Sequence, residues 1–333
     1  MDIRSASLAP APLVDTPQPS KFRDPDRTAK GDARASVPLA RLDTLWINTG
    51  TLCNITCQNC YIESSPLNDR LAYISATECA AYLDEIAALG LPTGVIGFTG
   101  GEPFLNPQML AMATDALARG HKVLILTNGM QPMQRPKIKQ GLLALKAQHG
   151  IRLTLRISLD HHTKLLHETE RGRNTWDKAL AGIDWLASND FDLAIAGRTC
   201  WGEPEASERA GYAALIMARG WPVDPNDNDR LMLLPEMDGL DDVPEISTAC
   251  WGVLHKSPAE IMCATSRMIV KRKGAATPVV VPCTLLPYEP EFEMANTLQA
   301  SLTAHGGMFD HGAVKLCHVN CAKFCVLGGG SCS

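Results

Sequence analysis

Between residues 43 and 235 short apolar runs alternate with longer amphipathic ones. "TLWIN" (44–48), "GVIGF" (94–98), "KVLIL" (122–126), "RLTLRISL" (152–159), "DLAIAG" (192–197) and "RLMLLP" (230–235) are short and rich in Val, Ile and Leu. Each is bounded by Gly, Asn, Asp or Pro, so each is expected to be a strand. Four intervening stretches are expected to be helices: 75–90, 106–120, 175–189 and 205–220. The first opens with Ser75 and has Glu78 three residues on, the pattern of a capping box, and three of the four end at a glycine. Alternating strands and helices make a parallel α/β architecture, and continuous apolar strands fit a sheet covered on both faces. An open or closed barrel and a doubly wound sheet both satisfy this pattern.

After about residue 240 the alternation stops and Pro, Gly and Cys dominate, so a second module is expected over 241–333. The first forty residues are rich in Pro, Ala, Ser and charge and are expected to be a disordered leader. They contain no apolar signal-peptide core, and no run approaches the roughly 20 apolar residues of a membrane span. A cytoplasmic location is therefore expected. The net charge of -5 argues against a nucleic-acid partner, which calls for a basic footprint.

Twelve cysteines change the picture, because without an export signal metal or redox chemistry explains them better than disulfides. Cys53, Cys57 and Cys60 form C-x3-C-x2-C immediately after the first strand, where parallel α/β folds place their active sites. The array fits an iron–sulfur cluster, zinc with a distant fourth ligand, or a disulfide with a spare thiol. Seven more fall in the last third: Cys250, Cys263, Cys283, Cys317, Cys321, Cys325 and Cys332. Cys79, inside an expected helix, reads as a small buried apolar group. After the second strand comes "FTGGEPFLNP" (98–107). There Gly100 and Gly101 let a ligand approach the backbone, and Glu102 offers a carboxylate to an ammonium group.

C-x3-C-x2-C after the first strand and TGGEP after the second, in that order, resemble the radical S-adenosylmethionine superfamily. "LTNGM" (126–130), "ISLDHH" (157–162) and "HETERGRNTWDKALAGIDWL" (167–186) are similar to later segments of that family. The resemblance covers residue 43 to about 235. It implies a partial (β/α)6 TIM-like barrel over 41–240, followed by a small cysteine-rich auxiliary-cluster module of the SPASM or twitch type.

The resemblance also implies a site. Cys53, Cys57 and Cys60 would hold a [4Fe–4S] cluster whose fourth iron binds S-adenosylmethionine. Gly100, Gly101 and Glu102 would meet the methionyl ammonium, Thr127 and Asn128 would make a further cofactor contact, and Ser158 and Asp160 would lie near the ribose or carboxylate. Arg198 is expected to partner a carboxylate. Many members carry an aromatic residue just before the last cysteine; here it is Asn59, so Tyr61 is expected near the adenine instead. The activity implied is reductive cleavage to a 5′-deoxyadenosyl radical, with flavodoxin or ferredoxin as electron donor. The substrate would be a peptide, or alternatively a small molecule undergoing dehydrogenation or rearrangement. A structural metal-binding protein is the alternative from another class.

In the tail, residues 263–283 read as a hairpin ending at Cys283. Cys317, Cys321 and Cys325 are spaced to share one helical face. Cys283, Cys317, Cys321 and Cys325 are the expected ligands of an auxiliary [4Fe–4S] cluster, with zinc as the rival and Cys263 and Cys332 as substitutes. His161 and His162 are read as proton shuttles or substrate contacts, or as solvent-facing loop residues. The acidic stretch 235–245 reads as a solvated linker.

Overall fold

A computed structural model describes residues 20–235 and 242–328. Strands β1 (Ser36–Val37), β2 (Thr44–Asn48), β3 (Val95–Thr99), β4 (Lys122–Thr127), β5 (Leu153–Ser158), β6 (Asp192–Arg198) and β7 (Leu231–Leu234) come first. They are followed by β8 (Ser266–Val270), β9 (Val279–Val281), β10 (Phe309–Asp310) and β11 (Ala313–Lys315). The large sheet has the order β7-β6-β5-β4-β3-β2-β8-β9, parallel throughout except for the antiparallel β8–β9 pair. This is the expected partial barrel of six strands, extended on its β2 edge by the β8–β9 hairpin.

Helices follow the strands: α1 (Ala76–Ala88), α2 (Met109–Ala118), the single turn α3 (Gln131–Gln134), α4 (Pro136–His149), α5 (Lys164–Arg171), α6 (Trp176–Ser188) and α7 (Glu205–Arg219). Ser75 caps α1 through a complete capping box with Glu78. The α1 residues Leu83 and Ile86 and the α2 residues Met112 and Leu117 pack with Ile47, Phe98 and Ile125 of the strands in one apolar core. Helix α4 was not expected. Its buried residues are Leu142 and Leu145, too narrow a stripe to stand out.

Residues 20–40 depart from the expected leader. Strand β1 pairs antiparallel with β11, and β11 with β10, in a second sheet. Ala35 and Val37 are buried in a second core with Leu285, Phe292, Val314 and Phe324. Arg34 anchors the segment: Nη2 lies 2.6 Å from Glu245, with side chains 1% and 5% exposed, and Nη1 donates to the Leu316 carbonyl at 3.1 Å. Glu245 also accepts the backbone N–H groups of Phe22 and Ala29. It is therefore a buried clamp at the end of the stretch read as a solvated linker. A buried pair that loses one partner costs about 3–5 kcal/mol. Composition could not reveal this, because the partners are 211 residues apart.

The module boundaries shift accordingly. The segment before residue 41 packs with the cysteine-rich module, while β8 and β9 complete the barrel sheet. Residues 1–19 of the expected leader, residues 236–241 of the linker and Cys332 lie outside the described residues.

Candidate active site

The loop after β2 carries the three cysteines, and the glycine pair after β3 is packed against its backbone. Gly101 donates to the Gly50 carbonyl at 2.8 Å, and Glu102 N–H to Leu52 at 3.1 Å. A Cβ on Gly101 would come 2.3 Å from the Leu52 oxygen, and one on Gly100 (φ +133°) 2.5 Å from the Gly50 oxygen. The glycines are thus required by the cysteine loop itself, besides lining the cavity that faces it.

Glu102 is 1% exposed and lies outside that cavity lining. Its carboxylate accepts from Thr127 Oγ1 at 2.8 Å, from the Asn128 N–H at 2.9 Å and from the Phe104 N–H at 3.2 Å. Burial pushes its pKa up, against the pull of these donors. Here Glu102 ties the end of β3 to the end of β4, where a ligand-facing carboxylate was expected. Asn128 carries the tie onward, donating to Asn54 Oδ1 at 2.8 Å beside Cys53.

Helix α5 braces the other side of the loop. Glu170, 2% exposed, accepts from Asn59 twice, backbone at 2.9 Å and side chain at 3.1 Å, and its carbonyl accepts from Gln58 N–H at 2.8 Å. This explains Asn59: its amide grips Glu170 where an aromatic residue could not. Arg198 donates to the Asn59 carbonyl at 3.2 Å and sits 3.7 Å from Glu170, so the carboxylate beside it belongs to the protein. Arg171 pairs with Asp160 at 2.6 Å. The Asp160 carboxylate holds that guanidinium charged despite the cost of burial. The sequence reading marked the segment 167–186 but assigned no role to Glu170 or Arg171.

The cavity at the carboxyl ends of the strands brings together Cys53, Cys57, Cys60, Gly100, Gly101, Thr127, Asn128, Ser158, Asp160 and Arg198. Among the described residues no fourth cysteine lines it. Tyr61 stands at its edge, 40% exposed. The cavity also takes Arg156 from β5, Met232 and Leu234 from β7, and Leu285 and Phe324 from the C-terminal module. Arg156 lies mid-strand in "RLTLRISL" and was missed, because periodicity does not say which face of a buried strand looks inward. Burial pushes the Cys53 thiol up to about 12 and Cys57 up to about 11. His161 and His162 do not line the cavity. His161 is 1% exposed, held by Thr163 and lowered to about 4 by burial, and His162 packs on Gly211.

A second, smaller cavity is lined by Cys263, Cys283, Cys321 and Cys325 among Ile261, Pro282, Leu286, Val314 and Leu316. Cys317 is outside this lining, its thiol donating to the Asp24 carbonyl at 3.5 Å. The shared helical face fails because the helix, Cys321–Leu327, starts after Cys317 and is a π-helix. Among the described residues no three cysteine sulfurs lie within 4.8 Å of one another. Four thiols in one cavity are a donor set that either an iron–sulfur cube or a zinc ion can use.

A barrel with three cysteines on the loop after β2 and a carboxylate-tied glycine turn after β3 defines a class of site. Residues 47–199, a little under half of the chain, match the description of the radical SAM superfamily, so the barrel is a radical SAM domain. It is 33% identical over 145 residues to the antilisterial bacteriocin subtilosin biosynthesis protein AlbA of Bacillus subtilis, covering 43% of this chain and 30% of AlbA. It is 28% identical over 144 residues to the AdoMet-dependent heme synthase of Methanosarcina barkeri, covering 43% of this chain and 38% of that one. The matches thus span well under two thirds of these relatives. Among solved structures, Streptococcus suis SuiB bound to S-adenosylmethionine superposes with a TM-score of 0.58 at 12% identity, covering 80% of this chain and 67% of SuiB. SuiB bound to precursor peptide SuiA gives the same score, at 11% identity over 80% and 65%.

The domain match implies a [4Fe–4S] cluster with S-adenosylmethionine, and the cysteine-rich module follows the barrel. The three cavity thiols, without a fourth, fit a cluster that keeps one iron for an outside ligand. Among the described residues no helix is long and apolar enough to cross a membrane.

Proposed function

We propose that this protein is a radical SAM enzyme that oxidatively modifies a peptide, with an auxiliary [4Fe–4S] cluster held by Cys263, Cys283, Cys321 and Cys325. The observation that carries the radical chemistry is the three-cysteine cavity. Three thiols face polar groups from the ends of β3 to β6, and no described fourth cysteine closes the set. When bound, the cluster would supply the electron that cleaves S-adenosylmethionine to methionine and a 5′-deoxyadenosyl radical; that radical would take a hydrogen atom from the peptide, and the peptide radical would then pass one electron to the oxidised auxiliary cluster and one proton to solvent.

The chain's own residues position and shield. Glu102, Thr127 and Asn128 fix the cysteine loop against β4, and Glu170 with Asn59 fixes it against α5. Gly100, Gly101 and Ser158 offer small or polar surface to the cofactor, and Arg156 offers a cation to a carboxylate, while Arg198 stays with Glu170 and the Asn59 carbonyl. Leu126, Met232, Leu234, Leu285 and Phe324 supply an apolar lining that keeps water from a reactive intermediate.

The peptide reading is supported by AlbA, a bacteriocin biosynthesis protein, and by SuiB, solved with a precursor peptide. Flavodoxin or ferredoxin would be the electron donor. The test is an anaerobic assay for 5′-deoxyadenosine with dithionite and S-adenosylmethionine, using ribosomal precursor peptides from the same source as substrates. Dithionite-dependent 5′-deoxyadenosine together with a peptide that has lost two hydrogens is the expected result. Uncoupled cleavage with every peptide unchanged would favour a small-molecule substrate, and no cleavage would exclude radical chemistry.

A further inference from the structure

The two cysteine cavities are back to back, and the same two short segments face both. Cys283 and Leu286 line the smaller cavity, while Leu285 between them lines the barrel cavity. Likewise Cys321 and Cys325 line the smaller cavity, while Phe324 lines the barrel one. Phe324 and Leu285 are 3% and 4% exposed, so both are packed rather than lying loosely over an opening. The segments are braced to each other, since Asn320 at the start of the π-helix donates its side-chain amide to the Leu285 carbonyl at 3.3 Å. The π-helical turn matters here. Its wider winding changes how successive side chains fan out, and such turns recur at functional sites.

We propose that Leu285 and Phe324 form a partition one side chain thick, which keeps barrel contents and water off the sulfurs of the smaller cavity. This rests on the reading of that cavity as an auxiliary cluster site. The linings support it chemically. The smaller cavity is walled by carbon and sulfur groups, with Ile261, Pro282, Leu286, Val314 and Leu316 between its cysteines. The barrel cavity carries Arg156, Asp160, Glu170, Arg171 and Arg198. Without Leu285 and Phe324 the charged, wet side would reach the sulfurs. A metal centre behind the partition keeps four protein ligands and meets substrate across a layer of apolar side chains, never by coordination. The apolar shell of a metal site sets its solvent access, so the partition also sets how slowly the centre is stripped.

The test uses the full-length chain carrying Cys53→Ala, Cys57→Ala and Cys60→Ala, reconstituted anaerobically, so that only the second site holds iron. Two quantities are read: the rate of iron loss to a chelator, and deuteron modulation in the electron-spin-echo spectrum of the reduced centre after exchange into D2O. Phe324→Ala is expected to speed iron loss on the order of tenfold and to introduce deuteron modulation. Leu285→Ala should do the same more weakly, and Phe324→Leu should restore most of the shielding. Phe292→Ala, in the same core but outside both linings, serves as the control. It should lower thermal stability while leaving both readouts near the starting values. A Phe324→Ala protein with unchanged chelation and no added modulation overturns the partition. Absence of iron from the triple variant overturns the auxiliary cluster and the partition with it.

Discussion

The two cysteine sites use the same ligand atom in opposite surroundings. At the barrel mouth, three thiols sit on a loop held from both sides by buried charge and amide groups: Glu102 with Asn128 on one side, Glu170 with Asn59 on the other. In the C-terminal module four thiols line a small cavity of Ile, Leu, Val and Pro. The first site mixes charged and amide groups with apolar side chains and lacks a fourth described cysteine; the second is lined by apolar side chains and cysteines and has one. An open coordination position suits catalysis, and a closed set suits electron storage or structure. The difference teaches that neither number nor spacing of cysteines assigns a role. What stands beside them does.

The comparison breaks most visibly at its ligand sets. Cys321→Ala should remove the iron of the second site, about half the total, whereas Cys317→Ala should retain it. Iron analysis of the two purified variants decides this, and equal losses would restore Cys317 to the ligand set. Next in size is the brace of the first site. Arg171→Met strands Asp160 as a buried, unpaired carboxylate and should cost about 3–5 kcal/mol in a denaturant titration. Gly101→Ala follows. Its methyl cannot fit 2.3 Å from the Leu52 oxygen, so the cysteine loop must shift, at about 1–3 kcal/mol. Iron should fall at the first site alone, and iron analysis with 5′-deoxyadenosine yield checks it.

The smallest effect lies outside both sites. Glu208 on α7 is fully buried, with no hydrogen bond to either carboxylate oxygen, and burial raises its pKa to about 7. A folded-state pKa above the unfolded value gives stability that is fully present below about pH 4.5 and lost as pH rises through 7. Glu208→Gln should therefore flatten the stability profile between pH 5 and 8 and gain about 1–2 kcal/mol at pH 8. Thermal melts across that range measure it. An unchanged profile would place a compensating donor on Glu208 in solution.

Much of the barrel was legible because its signals are local. Strand runs, the Ser75–Glu78 capping box and the glycine helix ends depend on residues a few positions apart. The cysteine loop and TGGEP segment were legible for the same reason. What escaped depends on distant partners. The Arg34–Glu245 clamp, the Asn59–Glu170 grip and the replacement of Cys317 by Cys263 at the second cavity each join segments tens to hundreds of residues apart. Glu102 was located by its motif, but its orientation toward Thr127 and Asn128 is a property of the packed sheet.

The central claim is one open and one closed cluster, and counting iron and acid-labile sulfide per chain tests it most directly. The measurement compares anaerobically purified wild type with the variant in which Cys53, Cys57 and Cys60 are all Ala, each also assayed for dithionite-dependent 5′-deoxyadenosine. About eight irons in the wild type, falling to about four with all cleavage lost, is the predicted result. Cleavage that survived loss of the three cysteines, or a wild-type chain holding about four irons that all vanished with them, would contradict it.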